Sequence, residues 1–389
     1  MVIGFDGSRA FIPERTGTEN YTYHLLKTLS RIDKKNSYII YTKARYQLPT
    51  NFLIKKIALP RFWTQGGLAL QTFKDDLDIL FVPAHTLPLI RRPGLKTVVT
   101  VHDLGSEYLP KMHQFKQRLY LSLMQKFQLK GATKIIAVSK ATKADLVKKI
   151  GIDPEKITVV YEGFDNKRFK QVNHAKENKN YLLVNSLKQY RLKPKRYFLF
   201  VGTVQPRKNL GRLIIAFSRF INLKEVINDE RLKIKDLKSL IINHKSIKLV
   251  IAGSKGWISD EIYQLPKKLG IKDRVKFLGY VPDKDLPALY SGAIALTFPS
   301  LFEGFGLPIL EAQACGCPVI TSNISSMPEV AGKEALLVDP YNVGDIVEAM
   351  ERLQITNYRL QLIKRGFENV MRFSWEKCAK ETLKVLDSV

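Results

Sequence analysis

Short apolar runs recur along the chain at residues 2–6, 38–42, 54–59, 79–82, 97–101 and 135–138, each bounded by polar or helix-patterned segments. Within them polar and apolar residues do not alternate. A strand that is apolar at every position is buried on both faces, as in a parallel sheet covered by helices. Between the first two runs, Gly17-Thr18-Glu19-Asn20 leads into a helical pattern over 21–29, with Thr18 placed to cap it. Strands that alternate with helices predict a doubly wound α/β domain. The series closes at 157–163, and residues 171–196 are polar and lysine-rich, as in a linker. A second series opens at 197–201 and continues at 247–252 and 294–298. Two Rossmann-like domains are therefore expected, over 1–170 and 197–370, with an amphipathic helix over 371–389. Residues 222–246 read as a lysine-rich insertion without an assigned function.

At 389 residues the chain is long enough for two separate cores, and its 45% hydrophobic and 25% charged content is ordinary for a globular protein. No apolar run approaches the roughly 18 residues of a membrane span. The first residues run straight into a strand, with neither a basic segment nor a cleavage site, so no secretory signal is expected. Cysteine usage agrees: Cys315, Cys317 and Cys378 are an odd and sparse set, which fits a reducing compartment. A Cys-x-Cys pair without further ligands nearby is a poor zinc site. The expected location is cytoplasmic.

Charge changes this picture. Sixty-three Lys and Arg against 36 Asp and Glu leave a net +27, which implies affinity for polyanions: nucleic acid, an anionic bilayer or phosphorylated substrates. Lysines scattered singly along helices are equally well explained as a solvated surface. Residues 111–149 are denser, with ten Lys or Arg, one acid (Asp145), and Phe115, Tyr120 and Phe127 interleaved. That segment is expected to attach electrostatically to an anionic surface, at the inner leaflet of a membrane. No zinc-finger, helix-turn-helix or RNP-type pattern supports a nucleic-acid-binding protein.

Candidate chemistry concentrates in residues 294–321. After the apolar run 294–298, Gly304 and Gly306 allow a tight turn and Pro308 opens a helix, so bare backbone amides at Phe305, Gly306 and Leu307 face an incoming ligand. Orphan amides and the helix dipole both favour a phosphate there. Glu303 and Glu311, eight positions apart, flank that point and can grip hydroxyl groups. A second motif is Gly202-Thr203-Val204-Gln205-Pro206-Arg207-Lys208, where two adjacent cations follow a glycine turn and can neutralise a diphosphate. His102 follows another strand end, where ligands of such sheets bind.

Phe-Glu-Gly-Phe-Gly-Leu-Pro-Ile-Leu-Glu-Ala over 302–312 resembles the E-x7-E signature of retaining glycosyltransferases of family 4, and the likeness extends over nearly the whole chain. The resemblance implies the GT-B fold: two Rossmann-like doubly wound domains facing a cleft, the first binding acceptor and the second nucleotide sugar, with the C-terminal helix returning to the first. It also implies roles. Arg207 and Lys208 would stabilise the leaving diphosphate, Glu303 would hold sugar hydroxyls and Glu311 the ribose. His102 would lie near the transferred sugar and Gly17 near the donor diphosphate. Thr203, Gly253, Tyr280 and Val281 would line the nucleotide site, with the base against the backbone at 280–281. Residues 326–330 and 336–340 would be the closing strands. The implied reaction moves a hexose, by overall similarity mannose from GDP, to a saccharide or lipid-linked acceptor.

No cofactor or metal is implied, since the donor is a substrate. Asp76-x-Asp78 leads into a buried run and Asp283-x-Asp285 begins a helix, so capping and solvation explain both pairs. A sugar-nucleotide epimerase of the same architecture is the alternative enzyme.

Overall fold

The computed structural model describes residues 1–12, 15, 17–43, 47–59, 62–84, 86–104, 126–172, 177–222, 246–257 and 259–389. The chain divides into two compact units, Met1–Gly163 with Phe373–Val389, and Phe164–Arg372.

The first unit is built on seven strands: β1 (Val2–Asp6), β2 (Ser37–Thr42), β3 (Phe52–Lys56), β4 (Ile79–Val82), β5 (Lys96–Val101), β6 (Lys134–Ala137) and β7 (Ile157–Val159). Their order is β3-β2-β1-β4-β5-β6-β7 and every pairing is parallel. β4 is buried along its whole length, and β1 and β5 are buried beyond their first residue, as all-apolar runs require. The third strand lies earlier than the apolar run at 54–59. Parallel register with β2 pairs Tyr38 with Phe52 and Thr42 with Lys56, and the Tyr38 and Phe52 rings stack 4.2 Å apart. The first helix, Gly17–Ile32, also begins earlier than its apolar pattern. Thr18 therefore sits inside it, where its carbonyl accepts from the Thr22 hydroxyl at 2.9 Å.

The second unit carries six strands: β8 (Tyr197–Val201), β9 (Lys248–Ala252), β10 (Val275–Gly279), β11 (Leu296–Phe298), β12 (Val319–Ser322) and β13 (Leu336–Val338). They are ordered β10-β9-β8-β11-β12-β13, again all parallel. Strand order reverses between β8 and β11, and ligands of doubly wound sheets generally bind beyond the carboxyl ends at such a point. The helix Glu177–Gln189, within the stretch read as linker, belongs to this unit and buries Leu183 and Leu187. The expected closing strand at 326–330 is instead a helix, Met327–Ala331. Pro328 in its first turn has no amide to give a sheet ladder, and Gly332, with φ 70°, stops it after five residues. The insertion at 222–246 lies almost wholly outside the described residues, as do Lys111, Phe115, Lys116, Arg118 and Tyr120 of the basic segment.

The C-terminal helix, Trp375–Asp387, returns to the first unit. Ser374 caps it by accepting from the Lys377 amide, and its inner face buries Cys378, Ala379, Thr382, Val385 and Leu386. Trp375 stacks on His24 at 5.2 Å and meets Tyr21 edge-on at 5.9 Å. All three cysteines are buried and unbridged.

Gly163 makes that return possible, because a Cβ there would fall 2.2 Å from the Trp375 nitrogen and 2.5 Å from the Ser374 carbonyl carbon. Gly163→Ala should cost roughly 1–3 kcal/mol as an overpacked contact. Gly211→Ala is the converse: the residue lies within the helix Leu210–Asn222 with nothing within 4 Å of an added Cβ. That change should stabilise by about 0.5–1 kcal/mol. Urea denaturation followed by tryptophan fluorescence checks both; a stable Gly163→Ala would show that the helix does not rely on this approach.

Candidate active site

The loops leaving β8 and β9 are zipped together by glycines. A Cβ on Gly253 would lie 2.0 Å from the Gly202 carbonyl oxygen, and both residues hold φ values (143° and 158°) that side chains rarely adopt. The Gly253 amide donates to the Gly279 carbonyl at 2.8 Å, tying in the end of β10 as well. Thr203 is thereby left exposed on this edge. Beyond Gly279, Tyr280 is exposed and Val281 buried.

From this edge the chain enters a single 3-10 turn, Pro206–Lys208, and not the start of an α-helix as the sequence pattern implies. Asn209 interrupts it in the left-handed conformation, φ 59°, before the helix Leu210–Asn222 begins. The side-chain amide of Asn209 donates to the carbonyls of Pro299 (3.0 Å) and Pro340 (2.6 Å), so the break is anchored to the loops after β11 and β13. The Leu301 amide donates to the Arg207 carbonyl at 2.8 Å. Arg207 and Lys208 are thus locked against the β11 loop.

Glu303 sits on that loop between the two cations. Lys208 Nζ donates to Oε1 at 2.5 Å, and Arg207 Nη1 donates to Oε2 at 2.8 Å and to the Phe302 carbonyl at 3.1 Å. Glu303 and Lys208 are buried and Arg207 is partly exposed. Burial by itself would raise the Glu303 carboxyl, but Lys208 and then Arg207 overcome it and hold it down at about 2. Lys208 Nζ also lies 4.8 Å over the Phe298 ring. Behind Glu303, the Ser325 hydroxyl donates to its carbonyl at 2.7 Å and the Ser326 hydroxyl bridges the carbonyls of Glu303 and Phe305.

The loop ends at Gly306, whose φ of 107° caps the helix Leu307–Ala314 without a side chain in the way. Phe305 is buried. Glu311 is the fifth helical residue, in the second turn, and its Oε2 accepts from the Tyr290 hydroxyl at 2.8 Å. It is partly exposed at its surface, and burial of its inner atoms pushes the carboxyl up to about 7 against the lowering bond from Tyr290. Asp283 raises it further, although Arg168 pairs with Asp283 at 2.6 Å.

The second unit therefore gathers Arg207, Lys208 and Glu303 in one charged cluster, with Gly306 and Glu311 on the helix that follows and Thr203, Gly253, Tyr280 and Val281 at neighbouring strand ends. Gly17 and His102 belong to the first unit. Gly17 is exposed, with open space where a Cβ would lie. His102 is buried, and both ring nitrogens meet acceptors: Nδ1 is 3.0 Å from Glu162 Oε1 and Nε2 is 2.9 Å from the Pro83 carbonyl. Burial would lower its pKa, but the Glu162 carboxylate and then the Pro83 carbonyl outweigh burial and raise it. Its contribution to stability is present below the ordinary histidine pKa and is lost as pH rises through the elevated one.

Sequence reasoning passed over Glu162, Asn209, Tyr290, Ser325 and Ser326. Asn209 carried a usable signal, since Asn between a cationic pair and an apolar helix is the residue that best tolerates a left-handed break. Tyr290 carried none; it meets Glu311 only through the fold.

The comparisons with known proteins follow the same lines. Residues 185–368 match the family described as glycosyl transferases group 1, and residues 15–168 match glycosyltransferase family 4. O-antigen chain mannosyltransferase B of Escherichia coli is 30% identical over 289 residues, covering 74% of this chain and 69% of that protein. O-antigen chain mannosyltransferase RfbU of Salmonella typhimurium is 30% identical over 291 residues, with the same coverage of each. Among solved structures, sucrose-phosphate synthase of Thermosynechococcus elongatus superposes with a TM-score of 0.74 at 19% identity, covering 100% of this chain and 98% of its own. HepE of Anabaena, in complex with UDP and glucose, gives 0.69 at 17% identity over 100% and 99%. The fold is GT-B and the protein is a glycosyltransferase. The chain belongs to glycosyltransferase family 4, within the glycosyl transferases group 1.

Holding Glu303 near 2 in the fold against 4.5 as its ordinary value is worth on the order of 3 kcal/mol. Because the folded pKa is the lower one, this stability is full above the ordinary value and is lost as pH falls through about 2. Lys208→Met leaves a buried carboxylate with one partner and should cost about 3 kcal/mol at neutral pH. The deficit should shrink in acid, because Glu303 without Lys208 takes up a proton at a higher pH than in wild type and so sheds its under-paired charge. Urea melts of wild type and variant at pH 7 and pH 4 check this, and an equal deficit at both values would place the loss elsewhere.

Proposed function

We propose that this glycosyltransferase moves a hexose from a nucleotide diphosphate sugar to a saccharide or lipid-linked acceptor, with retention at the anomeric carbon. The observation that carries this reading is the Arg207–Lys208–Glu303 cluster beside the glycine-capped helix at Gly306. Two cations and a helix N-terminus supply the positive charge that a departing diphosphate requires, so no metal ion and no cofactor is invoked. Asp76 and Asp283 are each paired with an arginine, Asp78 accepts from the Val2 amide and Asp285 from Tyr190, which favours structural roles for both D-x-D pairs. In this account Glu311 holds the ribose hydroxyls, Phe305 to Leu307 present backbone to the phosphates, and the backbone at Tyr280 and Val281 receives the base against Thr203 and Gly253.

Glu303 holds sugar hydroxyls and is not the nucleophile. A carboxylate pulled down to about 2 by two cations has little basicity left to attack an anomeric carbon. The acceptor therefore enters on the face the diphosphate leaves, and the diphosphate helps to take its proton. We do not assign proton transfer to His102, whose ring nitrogens are both engaged. The names of the relatives support mannose as the sugar, and GDP is proposed as its carrier. The dense positive charge at 111–149 supports docking on an anionic membrane surface at the cytoplasmic face. No helix among the described residues is long and apolar enough to cross a membrane.

Arg207→Ala should lower kcat/KM about tenfold to a hundredfold, as expected for the loss of 1.5–3 kcal/mol of charge-assisted bonding. Steady-state rates on a variant with wild-type circular dichroism test the assignment; full turnover would refute it. A thermal-shift panel of UDP, GDP and ADP with their sugars identifies the donor, since ligand at about 100 times its dissociation constant adds roughly 2.7 kcal/mol.

Glu311 makes a separate prediction. With its carboxyl near 7 in the free protein, ribose hydroxyls that donate to the ionised form should bind more tightly as pH rises. Affinity for the nucleoside diphosphate should increase about tenfold from pH 6 to pH 8 on account of this group. Glu311→Gln should flatten that part of the profile and weaken diphosphate and sugar donor alike, whereas Glu303→Gln should weaken mainly the sugar donor. Calorimetry across pH separates the two, and an unchanged slope in Glu311→Gln would remove Glu311 from the ribose.

A further inference from the structure

At the amino ends of β8 and β9, opposite the edge that carries the candidate active site, the second unit forms an open cavity of about 460 Å³ lined by Arg191, Leu192, Lys193, Arg196, Ser246 and Lys248. Four of these six are cations, and no acid lines it among the described residues. Strands of five residues separate the two edges by about 16 Å. The volume lies within the range of small-molecule sites.

Several features show that the fold concentrates charge here. Arg191 stands in the left-handed conformation at φ 51° and Lys195 at φ 54°, a backbone state that non-glycine residues adopt at a cost. The turn that carries them is fixed from both sides. The Lys195 ammonium is used up on the carbonyls of Ser291 (2.9 Å) and Ala293 (2.7 Å), which leaves Arg191, Lys193 and Arg196 to the cavity. The Arg196 backbone is pinned as well, its carbonyl accepting from the Lys248 amide at 3.0 Å. Its Nη1, shielded from solvent, has no acceptor among the described residues. Arg191, Lys193, Arg196 and Lys248 also form no ion pair among the described residues. Lys276, bonded to the Tyr190 carbonyl at 2.6 Å, adds a fifth cation nearby. Its pKa is lowered by burial and then by the like charges of Lys248 and Arg191. A guanidinium with one nitrogen shielded and unbonded, set among unpaired like charges at a partly exposed cavity, gains from an anion that completes it.

We infer that this cavity binds a phosphate-bearing anion, a second site distinct from the donor site and independent of the reading given above for Arg207 and Lys208. Arg196 and Lys248 hold the phosphate, Arg191 and Lys193 close over it, and Leu192 accommodates an apolar portion. The same chemistry serves a soluble organic phosphate or a lipid headgroup.

Calorimetry with sodium pyrophosphate on the full chain tests the inference. The double variant R196Q/K248Q should lose one bound pyrophosphate per chain relative to wild type, or bind it at least about tenfold more weakly, because two charge-assisted contacts are removed. R207A, which keeps the Lys208–Glu303 pair, should retain that same pyrophosphate and weaken only a site at the donor position. The substituted side chains make no side-chain hydrogen bonds among the described residues, so R196Q/K248Q should unfold in urea as wild type does, and the stoichiometry is then read on a folded chain. Vesicles of phosphatidylcholine with and without phosphatidic acid separate the sources. Pyrophosphate-competed capture by the anionic vesicles that R196Q/K248Q loses identifies a headgroup, and pyrophosphate binding without capture identifies a soluble phosphate. Unchanged stoichiometry and affinity in R196Q/K248Q would overturn the inference.

Discussion

The second unit is organised by one carboxylate. Glu303 reaches from the β11 loop to Lys208 and Arg207 on the turn after β8, and these contacts span the point where strand order reverses. Without the carboxylate, two adjacent cations would face each other in a partly buried turn and repel. With it the cluster carries a net single positive charge, is geometrically fixed, and still leaves Arg207 partly exposed. In the function proposed above, the arrangement resolves a conflict inherent in binding a diphosphate. A site that is strongly cationic when empty is costly to fold, and one that is neutral does little for a leaving group. Sharing both cations with one carboxylate lowers the cost of the empty site and still leaves a net positive charge for a ligand.

The two acids of the E-x7-E spacing are consequently unlike. Glu303 is buried against cations and stays ionised far below neutrality, whereas Glu311 lies against a tyrosine hydroxyl and near other carboxylates and titrates near neutrality. Spacing alone treats them as equivalent. Their environments set them apart, in the way that paired carboxylates elsewhere are assigned different tasks by different surroundings.

What could be read in advance followed from periodicity and from turn chemistry. Apolar runs gave the strands of the first sheet and β8, β9 and β11 of the second to within a few residues, because burial on both faces leaves no other pattern. The glycine-capped helix after β11 was legible from Gly306 and Pro308. The helix at Met327–Ala331 was not, since its five residues are too short to show a helical period. Nor was the placement of Arg207 and Lys208 in a 3-10 turn, because the break depends on Asn209 bonding two carbonyls about 90 and 131 residues away in sequence. The residues that hold the site in place, Tyr290, Ser325 and Ser326, act through tertiary contacts and have no local signature.

His102 shows how a fold can narrow a residue's chemistry. The residue type suits proton transfer, and its position at a strand end suits a ligand site. Yet the structure gives Nδ1 a carboxylate and Nε2 a carbonyl, both acceptors, within a shell that includes the Tyr21 ring at 4.6 Å. Both nitrogens are engaged by protein acceptors in this geometry. The ring is held between Glu162 and the Pro83 carbonyl, and the Thr142 hydroxyl bonded to the His102 carbonyl holds the backbone in place as well. The ring's two bonds therefore fix its orientation and, with the Thr142 bond, tie the loop after β5 to Glu162 and to the turn after β4.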